Sequence, residues 1–377
     1  MSSESLKPER TVFGFRSTVD RGRIGMMAVA IAGLLAGAGC RESTPSGLGD
    51  AEIRELLRGR VEHGAIVVGI LEDGHRRTIA YGVRAAGSDS VDEHTVFEIG
   101  SITKVFTATM LAEMVRRGEV SLGDPIAKYL PSTVRVPSRK GREITLLDLA
   151  TQHSGLPRLP DNLRPADPQN PYADYGAEEL HRFLASYRLT RDIGERFEYS
   201  NLGVGLLGYV LAQRAGTGYE AALKERVLDP LGLRETSITL STEMAERLAV
   251  GHTSRGRVTK NWDIGILAGA GGLRSTADDM LTFAAAHFDS AGALFPIFTA
   301  TLRPRRSLAS TGTDSIGLNW LLMRPDGHPI AWHNGGTGGY RSFLGIDRAR
   351  HRAVVVLTSS ATSFDDLGMM LLQEKGR

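Results

Sequence analysis

The stretch Ser101-Ile102-Thr103-Lys104 opens an apolar run that continues over residues 105–115. A helix that is apolar nearly all round is a buried helix. Ser101 and Lys104 are three residues apart, which on a helix puts both side chains on one face, with Cβ atoms about 5–6 Å apart. The sequence therefore predicts a buried helix whose start brings an amine within reach of a hydroxyl.

Such a pair has the chemistry of an activated nucleophile. A serine hydroxyl attacks well only when a base takes its proton, and lysine is such a base only when desolvation or a nearby cation lowers its pKa. The start of a buried helix supplies desolvation, and its exposed N–H groups favour negative charge beside Ser101. Ser-x-x-Lys also arises by chance, with the serine as a helix cap and the lysine on the surface. The function therefore depends on other motifs.

The composition excludes several classes of function. The chain has 377 residues, of which 41% are hydrophobic and 23% charged, as in a soluble globular protein with a sizeable core. Its net charge is +2, from 45 basic and 43 acidic residues, so no nucleic-acid partner is predicted. The ten histidines are scattered and form no His-Glu-x-x-His motif, so we predict no metal ion and no other cofactor.

The N-terminal segment is typical of an export signal. Arg21 and Arg23 precede an apolar run over residues 24–39, which ends in small residues before the single cysteine, Cys40. This run is shorter than the roughly 20 residues that a membrane-spanning helix needs. The Gly-Cys ending resembles a bacterial lipoprotein signal, in which the cysteine is lipidated and becomes the mature N-terminus. A plain signal, cleaved or retained, and a buried apolar segment are the alternatives.

The rest of the chain predicts one sheet built from both chain ends, with an inserted helical lobe. Residues 41–49 are rich in Ser, Gly and Pro and are interpreted as a tether. An apolar stripe of Ile53, Leu56, Leu57 and Val61 predicts a first helix, and residues 364–373 predict a last one. The predicted strands are residues 66–71, 78–83, 317–323, 330–333, 340–346 and 353–358.

Two further motifs accompany Ser101 and Lys104. Tyr199 and Asn201 stand two apart, directly before an apolar helical run. His333-Asn334-Gly335-Gly336 ends or lines a strand near the C-terminus. Each has a structural interpretation as well: an aromatic residue at a helix entry, an asparagine N-cap, a histidine at a strand end, and glycines that permit a turn.

In this order, Ser-x-x-Lys, Tyr-x-Asn and a basic-x-Gly strand resemble the serine β-lactamase and penicillin-binding protein superfamily. The class C branch is the most similar; it also contains D-alanyl-D-alanine carboxypeptidases, D-aminopeptidases and esterases. The resemblance covers residues 53–360. The resemblance implies a mixed fold of the α/β (α+β) class, namely the β-lactamase/transpeptidase-like fold. In this fold an antiparallel sheet is flanked by helices. The flanking stretches that strengthen it are residues 97–100, 144–157, 199–208, 229–233 and 270–279.

The resemblance also implies catalytic roles. Ser101 would attack a carbonyl and form an acyl-enzyme, while Lys104 and Tyr199 would share its proton and Tyr199 would pass it to the leaving group. Asn201 would hold the lysine and a substrate amide. The backbone N–H groups of Ser101 and Gly336 would bind the oxyanion.

His333 is the main departure from the family pattern, since most β-lactamases of this branch carry lysine there. Unperturbed histidine has a pKa of about 6.5 and is largely neutral at pH 7, so it attracts a substrate carboxylate less than lysine does. We therefore predict that D-alanyl peptides or esters are better substrates than cephalosporins. Gly335, Gly336 and Thr337 are predicted to contact the substrate, and Thr337 and Arg341 are candidates for carboxylate recognition.

Together these features predict a serine hydrolase domain over residues 50–377, preceded by a signal over residues 1–40. It would act on an amide, β-lactam or ester carbonyl of a small-molecule or peptidoglycan-type substrate. We expect an exported protein of the periplasm or cell envelope, held at the membrane by a lipid on Cys40. A carboxylesterase of the same fold and a non-catalytic envelope binding module are the alternatives. The intact set of Ser101, Lys104 and Tyr199 argues against the binding module.

Overall fold

An antiparallel sheet is the framework on which the other elements are arranged. The computed structural model describes residues 48–88, 90–309 and 313–374. The strands in this part of the chain are β1 (Ala65–Glu72), β2 (His75–Gly82), β3 (Phe97–Glu98), β4 (Ser138–Arg139), β5 (Arg142–Glu143), β6 (Arg274–Ser275), β7 (Arg306–Ser307), β8 (Ser315–Ile316), β9 (Leu321–Met323), β10 (Ile330–Gly336), β11 (Arg341–Asp347) and β12 (Arg352–Thr358). Eight of them form one sheet in the order β2-β1-β12-β11-β10-β9-β8-β7, and two short two-stranded sheets, β3-β6 and β4-β5, lie outside it.

The first and the last strand of the described residues are neighbours in the sheet. Strand β1 pairs antiparallel with β12, with Ile66 opposite Thr358 and Glu72 opposite Arg352. On its other side β1 forms a hairpin with β2. The hairpin turns through Asp73 and Gly74, both with positive φ, as is typical of an Asp-Gly turn between two strands. The predicted fold class is confirmed.

Helices cover both faces of the sheet. They are α1 (Asp50–Arg58), α2 (Thr103–Arg116), α3 (Leu146–Ala150), α4 (Ala177–Ser186), α5 (Asn201–Ala215), α6 (Tyr219–Leu223), α7 (Asp229–Leu231), α8 (Thr242–Glu246), α9 (Ala277–Ala285), α10 (Phe295–Leu302) and α11 (Asp365–Gln373). Helices α1 and α11 pack on one face, and α9 packs on the other with the helical lobe behind it. Two short 3₁₀ helices, Gly100–Ile102 and Gly265–Ala270, matter for the site.

The strands serve two separate cores because side chains alternate between the faces of a sheet. Along β1, Ile66 and Val68 belong to the cluster under α1 and α11, whereas Ala65 and Val67 belong to the larger cluster shared with the lobe. Helix α2 lies within the larger core, where Phe106 stacks on Phe283 of α9 with ring centroids 4.1 Å apart. The buried helix predicted after Ser101 is confirmed.

The first helix differs in two respects from the predicted stripe: it ends at Arg58, so that Val61 lies beyond it, and one residue of the stripe is exposed. Ile53 and Leu57 are fully buried under the sheet, but Leu56 is 39% exposed. The helix is short, and the two residues four apart are enough to cover the strand beneath it.

The predicted export signal with Cys40, and most of the predicted tether, lie outside the described residues. Within residues 48–374, excluding the gaps, no helix combines the length and apolar character needed to cross a membrane.

Candidate active site

Lys104 is the residue at which three distant parts of the chain meet. Ser101 lies in the 3₁₀ turn directly before α2, and Lys104 is the second residue of that helix and fully buried. Its Nζ lies 2.9 Å from Ser101 Oγ, 2.9 Å from Asn201 Oδ1 and 2.6 Å from the carbonyl oxygen of Ala270. The predicted contact between Ser101 and Lys104 is therefore present.

The surroundings of Lys104 favour its neutral amine. Burial, and secondarily the charge of Arg158, hold the pKa of Lys104 well below its ordinary value. The oxygens of Asn201 and Ala270 can only accept, so they take the two N–H bonds of a neutral amine. The lone pair is then left facing the Ser101 hydroxyl. In this state the amine can accept the proton of Ser101.

Tyr199 is a second neighbour of Ser101. The two hydroxyl groups are hydrogen-bonded to each other, and Lys104 Nζ lies 4.9 Å from the centroid of the tyrosine ring. Burial raises the pKa of Tyr199 to about 12, although the hydrogen bond to Ser101 and the charge of Arg158 oppose this shift. At neutral pH the side chain is therefore a phenol that can donate a proton, and a phenolate base is disfavoured.

Asn201 is placed by the start of α5. The N-cap of this helix is Ser200, whose Oγ accepts a hydrogen bond from the N–H of Gly203 at 2.8 Å. The interpretation of Asn201 as the cap is therefore wrong by one residue. Because Ser200 satisfies the helix end, the Asn201 amide is available to accept from Lys104 and to donate to the Tyr172 hydroxyl at 3.4 Å.

His333 on β10 faces the same group of side chains. Its ring is 2% exposed, and its centroid lies 6.3 Å from that of Tyr199. His333 Nδ1 lies 2.6 Å from the carbonyl oxygen of Asn334, which can only accept, so Nδ1 carries the hydrogen and Nε2 the lone pair. Burial, and then the charge of Lys104, lower the pKa of His333 to about 3. The ring is neutral at physiological pH.

Glycines let β10 approach the turn that carries Ser101. A Cβ at Gly335 would overlap the carbonyl oxygen of Ile99, and one at Gly100 would lie 2.6 Å from the backbone nitrogen of Gly336. The strand is also tied to the turn from its neighbour, since Ser342 Oγ donates to the Ile99 carbonyl at 2.8 Å. These contacts place Gly336 beside Ser101, where both line one hollow.

Thr337 and Arg341 follow this strand but have different surroundings. The guanidinium of Arg341 packs over Gly336 and donates to the carbonyl oxygens of Thr337 and Tyr340, both at 2.9 Å. The Thr337 hydroxyl is buried, without a hydrogen-bond partner among the described residues. Arg341 is thus engaged with backbone carbonyls at the end of β10.

The hollow beside Ser101 is narrow and largely apolar. Its volume is about 20 Å³, room for little more than one water molecule. Tyr172 and Trp262 form one wall, with ring centroids 5.5 Å apart. The lining residues are Gly100, Ser101, Tyr172, Asn201, Trp262, Ile264, Leu267, Ala270, Gly271 and Gly336.

The wall of the hollow was missed from the sequence. Tyr172 lies in the loop between α3 and α4 and is 6% exposed, and no local pattern distinguishes it from the loop's other residues. Trp262 is held by Glu98, whose Oε1 accepts from the Trp262 N–H at 2.9 Å and pairs with buried Arg274 at 3.3 Å. For Ala270, the sequence signal that could have identified it as part of the site is the run of glycines around it.

No metal site accompanies this group. Within the described ranges, no set of three or more His, Cys, Asp or Glu side chains is arranged to hold a metal ion.

Comparison with known proteins gives a consistent result. The family model described as Beta-lactamase matches residues 53–373. The D-alanyl-D-alanine-carboxypeptidase/endopeptidase AmpH of Escherichia coli is 30% identical over 307 residues, which cover 77% of this chain and 78% of that protein. A β-lactamase of Pseudomonas fluorescens is 24% identical over 82% of this chain and 94% of its own. The crystal structure of a class C β-lactamase from Rhodobacter sphaeroides superposes with a TM-score of 0.73 at 25% identity, covering 86% of this chain and 97% of that one.

Proposed function

This chain belongs to the β-lactamase family of serine hydrolases, and from that premise we propose that it cleaves D-alanyl peptides through an acyl intermediate on Ser101. The observation that carries the proposal is the environment of Lys104. A fully buried amine lies 2.9 Å from a serine hydroxyl, with its other two contacts made by oxygens that can only accept. This arrangement activates a nucleophile.

In the acylation step, Ser101 Oγ attacks the substrate carbonyl and its proton moves to Lys104. The lowered pKa of the lysine makes its neutral form available as the base. Tyr199, a neutral phenol hydrogen-bonded to Ser101, donates its proton to the leaving nitrogen and regains one from Lys104. The C–N bond breaks, the amine leaves, and the acyl group stays on Ser101.

In the deacylation step, a water molecule attacks the acyl-serine while Tyr199 and Lys104 take its proton and return one to Ser101. The oxyanion of both tetrahedral intermediates would lie between the N–H groups of Ser101 and Gly336, which line the same hollow. Losing one such donor typically costs about 10²–10³ in rate. Gly335 and Thr337 would contact the substrate along β10.

Two features support a D-alanyl peptide as the substrate. The carboxypeptidase AmpH of E. coli is 30% identical to this chain. The hollow beside Ser101 is small and apolar, which suits the methyl group of alanine better than a bulky acyl side chain. His333 does not add to this support, because its uncharged ring, at the position where most β-lactamases of the branch have a lysine, offers no cation to a substrate carboxylate.

A short-chain carboxylesterase is the second candidate function. The neutral ring of His333 favours it, because an ester need not carry a carboxylate for recognition. The narrow hollow would restrict such an esterase to small acyl groups.

We also propose that the protein is exported and lipid-anchored. Residues 1–40 would be the signal, Cys40 the lipidated residue, and residues 41–49 a tether to the hydrolase domain over residues 50–377. Mass spectrometry of protein extracted from the cell envelope should show an acylated N-terminal cysteine. Recovery of an unmodified, soluble form would contradict this proposal.

The test of the nucleophile is Ser101→Ala. We expect turnover of a D-alanyl dipeptide mimic and of a chromogenic short-chain ester to fall at least about 10³-fold, because the acyl acceptor is removed. Incubation with a fluorescent penicillin followed by intact-mass measurement should add one penicilloyl group to the wild-type protein and none to the variant.

The matched control is Ser121→Ala, which removes an exposed serine hydroxyl outside the site. This variant should retain wild-type turnover, and thermal unfolding should show that both variants are folded. Undiminished turnover in Ser101→Ala would reject the assignment of the nucleophile.

A further inference from the structure

We infer that Arg158 recognises the carboxylate of the substrate's leaving group, supplying the positive charge that His333 does not. The inference rests on the proposed function, since it concerns the D-amino acid released when Ser101 is acylated. It names the residue that would make the site selective for a C-terminal carboxylate.

The backbone of Arg158 is fastened to the start of α5. Its carbonyl oxygen accepts hydrogen bonds from the N–H groups of Asn201 at 3.0 Å and Leu202 at 3.2 Å. The neighbouring carbonyl, of Pro157, accepts from Ser200 Oγ at 2.6 Å. Arg158 therefore has a defined position relative to the residues that surround Lys104, although it belongs to a long loop.

The side chain of Arg158 extends over Tyr199. Its guanidinium carbon lies 5.0 Å from the centroid of the tyrosine ring, and the residue is exposed to solvent. Among the described residues the guanidinium has no hydrogen-bond or ion-pair partner. A solvent-accessible guanidinium on an anchored backbone can receive a carboxylate through two parallel N–H···O bonds.

The other cationic side chains around the site are already engaged. Lys104 is fully buried and uses its three contacts on Ser101, Asn201 and the Ala270 carbonyl. Arg341 donates to two backbone carbonyls at the end of β10. Arg274 is paired with Glu98. Arg158 is therefore the cation beside the nucleophile that is available to an incoming anion in the described part of the chain.

The position over Tyr199 identifies which end of the substrate Arg158 would bind. Tyr199 is the group that would donate a proton to the leaving nitrogen. In a D-alanyl-D-alanine peptide, the terminal carboxylate is attached to the carbon next to that nitrogen. A cation over the tyrosine ring therefore lies on the leaving-group side of the scissile bond, and the acyl side is left to the hollow lined by Tyr172 and Trp262.

The charge of Arg158 also shifts the pKa values of neighbouring side chains, and the experiment must separate this effect from carboxylate recognition. Its positive charge contributes to the lowered pKa of Lys104, after burial, and opposes the raised pKa of Tyr199. Removing the charge would raise the pKa of Lys104 and move the acidic limb of the activity profile to higher pH. That effect would be the same for every substrate, whereas carboxylate recognition would not.

The test compares Arg158→Gln with wild type on two matched substrates, an acyl-D-alanyl-D-alanine peptide and its C-terminal amide. KM and kcat are measured across pH, so that each comparison is made at its own optimum. We expect kcat/KM for the free acid to fall about 10- to 100-fold, mainly through KM, since a hydrogen-bonded charge pair is lost. The amide should change by less than about threefold, and Arg158→Lys should retain part of the preference for the acid.

The matched control is Arg164→Gln, an exposed arginine of the same loop whose guanidinium bonds to the loop's own carbonyls. This variant should leave the ratio of kcat/KM for the acid to kcat/KM for the amide unchanged. Direct binding of the free acid to Ser101→Ala, with and without Arg158→Gln, gives a second readout that requires no turnover. Weaker binding of the free acid to the double variant than to Ser101→Ala supports carboxylate recognition.

Equal losses of kcat/KM on the free acid and on the amide would overturn the inference. So would a shift in the pH profile that leaves the ratio of the two kcat/KM values unchanged. The proposed function fails in a different way, by the absence of turnover and of a penicilloyl adduct in the wild-type protein. If the wild type turns over esters and not peptides, the same comparison uses an acyl-D-alanyl-D-lactate and its amide. An unchanged ratio there overturns the inference equally.

Discussion

At the scale of single residues, position 333 shows how one side chain changes the electrostatics of the site. A lysine there would place a second amine close to Lys104, and the charged form of each would disfavour the charged form of the other. The histidine avoids this repulsion because its ring is buried and hydrogen-bonded through Nδ1. The cost is the loss of a positive charge for the substrate, which on our inference Arg158 replaces from its position over the Tyr199 ring.

The electrostatics of His333 give a direct prediction. Because burial and Lys104 lower its pKa to about 3, the ring should stay neutral and keep one tautomer as the pH is varied between about 5 and about 8. NMR of ring-labelled histidine should therefore show no titration of His333 over this range. The pH profile of activity should likewise contain no inflection that disappears in the variant His333→Gln.

His94 is the internal control for this measurement. It is exposed and hydrogen-bonded to Glu235, which raises its pKa above the ordinary value of histidine, so it should titrate in the same spectra. A His333 midpoint near that of an ordinary histidine would contradict the structure, because it would mean that the ring is solvated or turned away from Lys104.

The residues of the site divide into those with a local sequence signal and those without one. Ser101, Lys104, Tyr199 and His333 could be predicted, because each stands in a short motif at the start of a helix or the end of a strand. Their convergence in the structure agrees with that prediction, while their catalytic roles stay a prediction. Tyr172, Trp262 and Arg158 are placed by contacts between loops distant in sequence, and no periodicity or motif marks such residues.

At the scale of elements, the decisive contact joins strand β10 to the turn before α2. Gly335 has ordinary extended backbone, so alanine is permitted by conformation and excluded only by space. Its side chain would overlap the Ile99 carbonyl and the Ser342 hydroxyl, two groups that are hydrogen-bonded to each other at 2.8 Å. The strand and the turn that carries Ser101 can approach this closely only when residue 335 has no side chain.

Gly335→Ala should therefore damage both stability and activity. The strand must move away from the turn, which we expect to cost about 1–3 kcal/mol of unfolding free energy, as overpacking does. A displacement of the order of 1 Å between Gly336 and Ser101 should lower kcat about 10²-fold, because the catalytic geometry is disturbed. Chemical denaturation and steady-state kinetics on one chromogenic ester measure the two effects.

Gly123→Ala is the matched control, because a Cβ there meets no atom within 4 Å and the φ angle is not positive. It should leave both quantities nearly unchanged. Wild-type kcat in Gly335→Ala would show that the close approach of β10 to the Ser101 turn is not needed for catalysis.

The elements themselves were predicted to different degrees, for reasons of length and burial. The hairpin of β1 and β2, helix α2 and the strands β10 to β12 have clear patterns because each is long and buried on at least one face. Strands β7 and β8 were not recognised as separate strands. Each has two residues, Arg306–Ser307 and Ser315–Ile316, too few to show an alternating pattern.

At the scale of the whole molecule, the sheet separates two cores with different tasks. The face under α1 and α11 is packed with aliphatic and aromatic side chains, and the other face carries α2 and the site. The general plan, one sheet from both chain ends with a helical lobe between them, could be predicted from the order of elements. The register of β1 against β12 could not, because nearly 300 residues separate the partners and both strands are almost wholly apolar.

This separation predicts that the two faces can be perturbed independently. Leu57 of α1 is fully buried in the core on the far side of the sheet from Ser101. Leu57→Ala should lower the free energy of unfolding by about 2–5 kcal/mol, through lost burial and the cavity left behind. Because Leu57 belongs to the core on the face of the sheet away from α2, kcat/KM of the folded protein should stay within about twofold of wild type.

Leu56→Ala makes the matched comparison, since Leu56 is one position earlier on the same helix and is 39% exposed. It should change the free energy of unfolding by no more than about 0.5 kcal/mol. Urea denaturation and ester hydrolysis at a temperature well below the unfolding transition measure the two variants side by side. A loss of kcat/KM in Leu57→Ala without unfolding would show that the two faces are coupled through the strands. The sheet would then transmit packing changes to the site, and the far core would be part of its positioning.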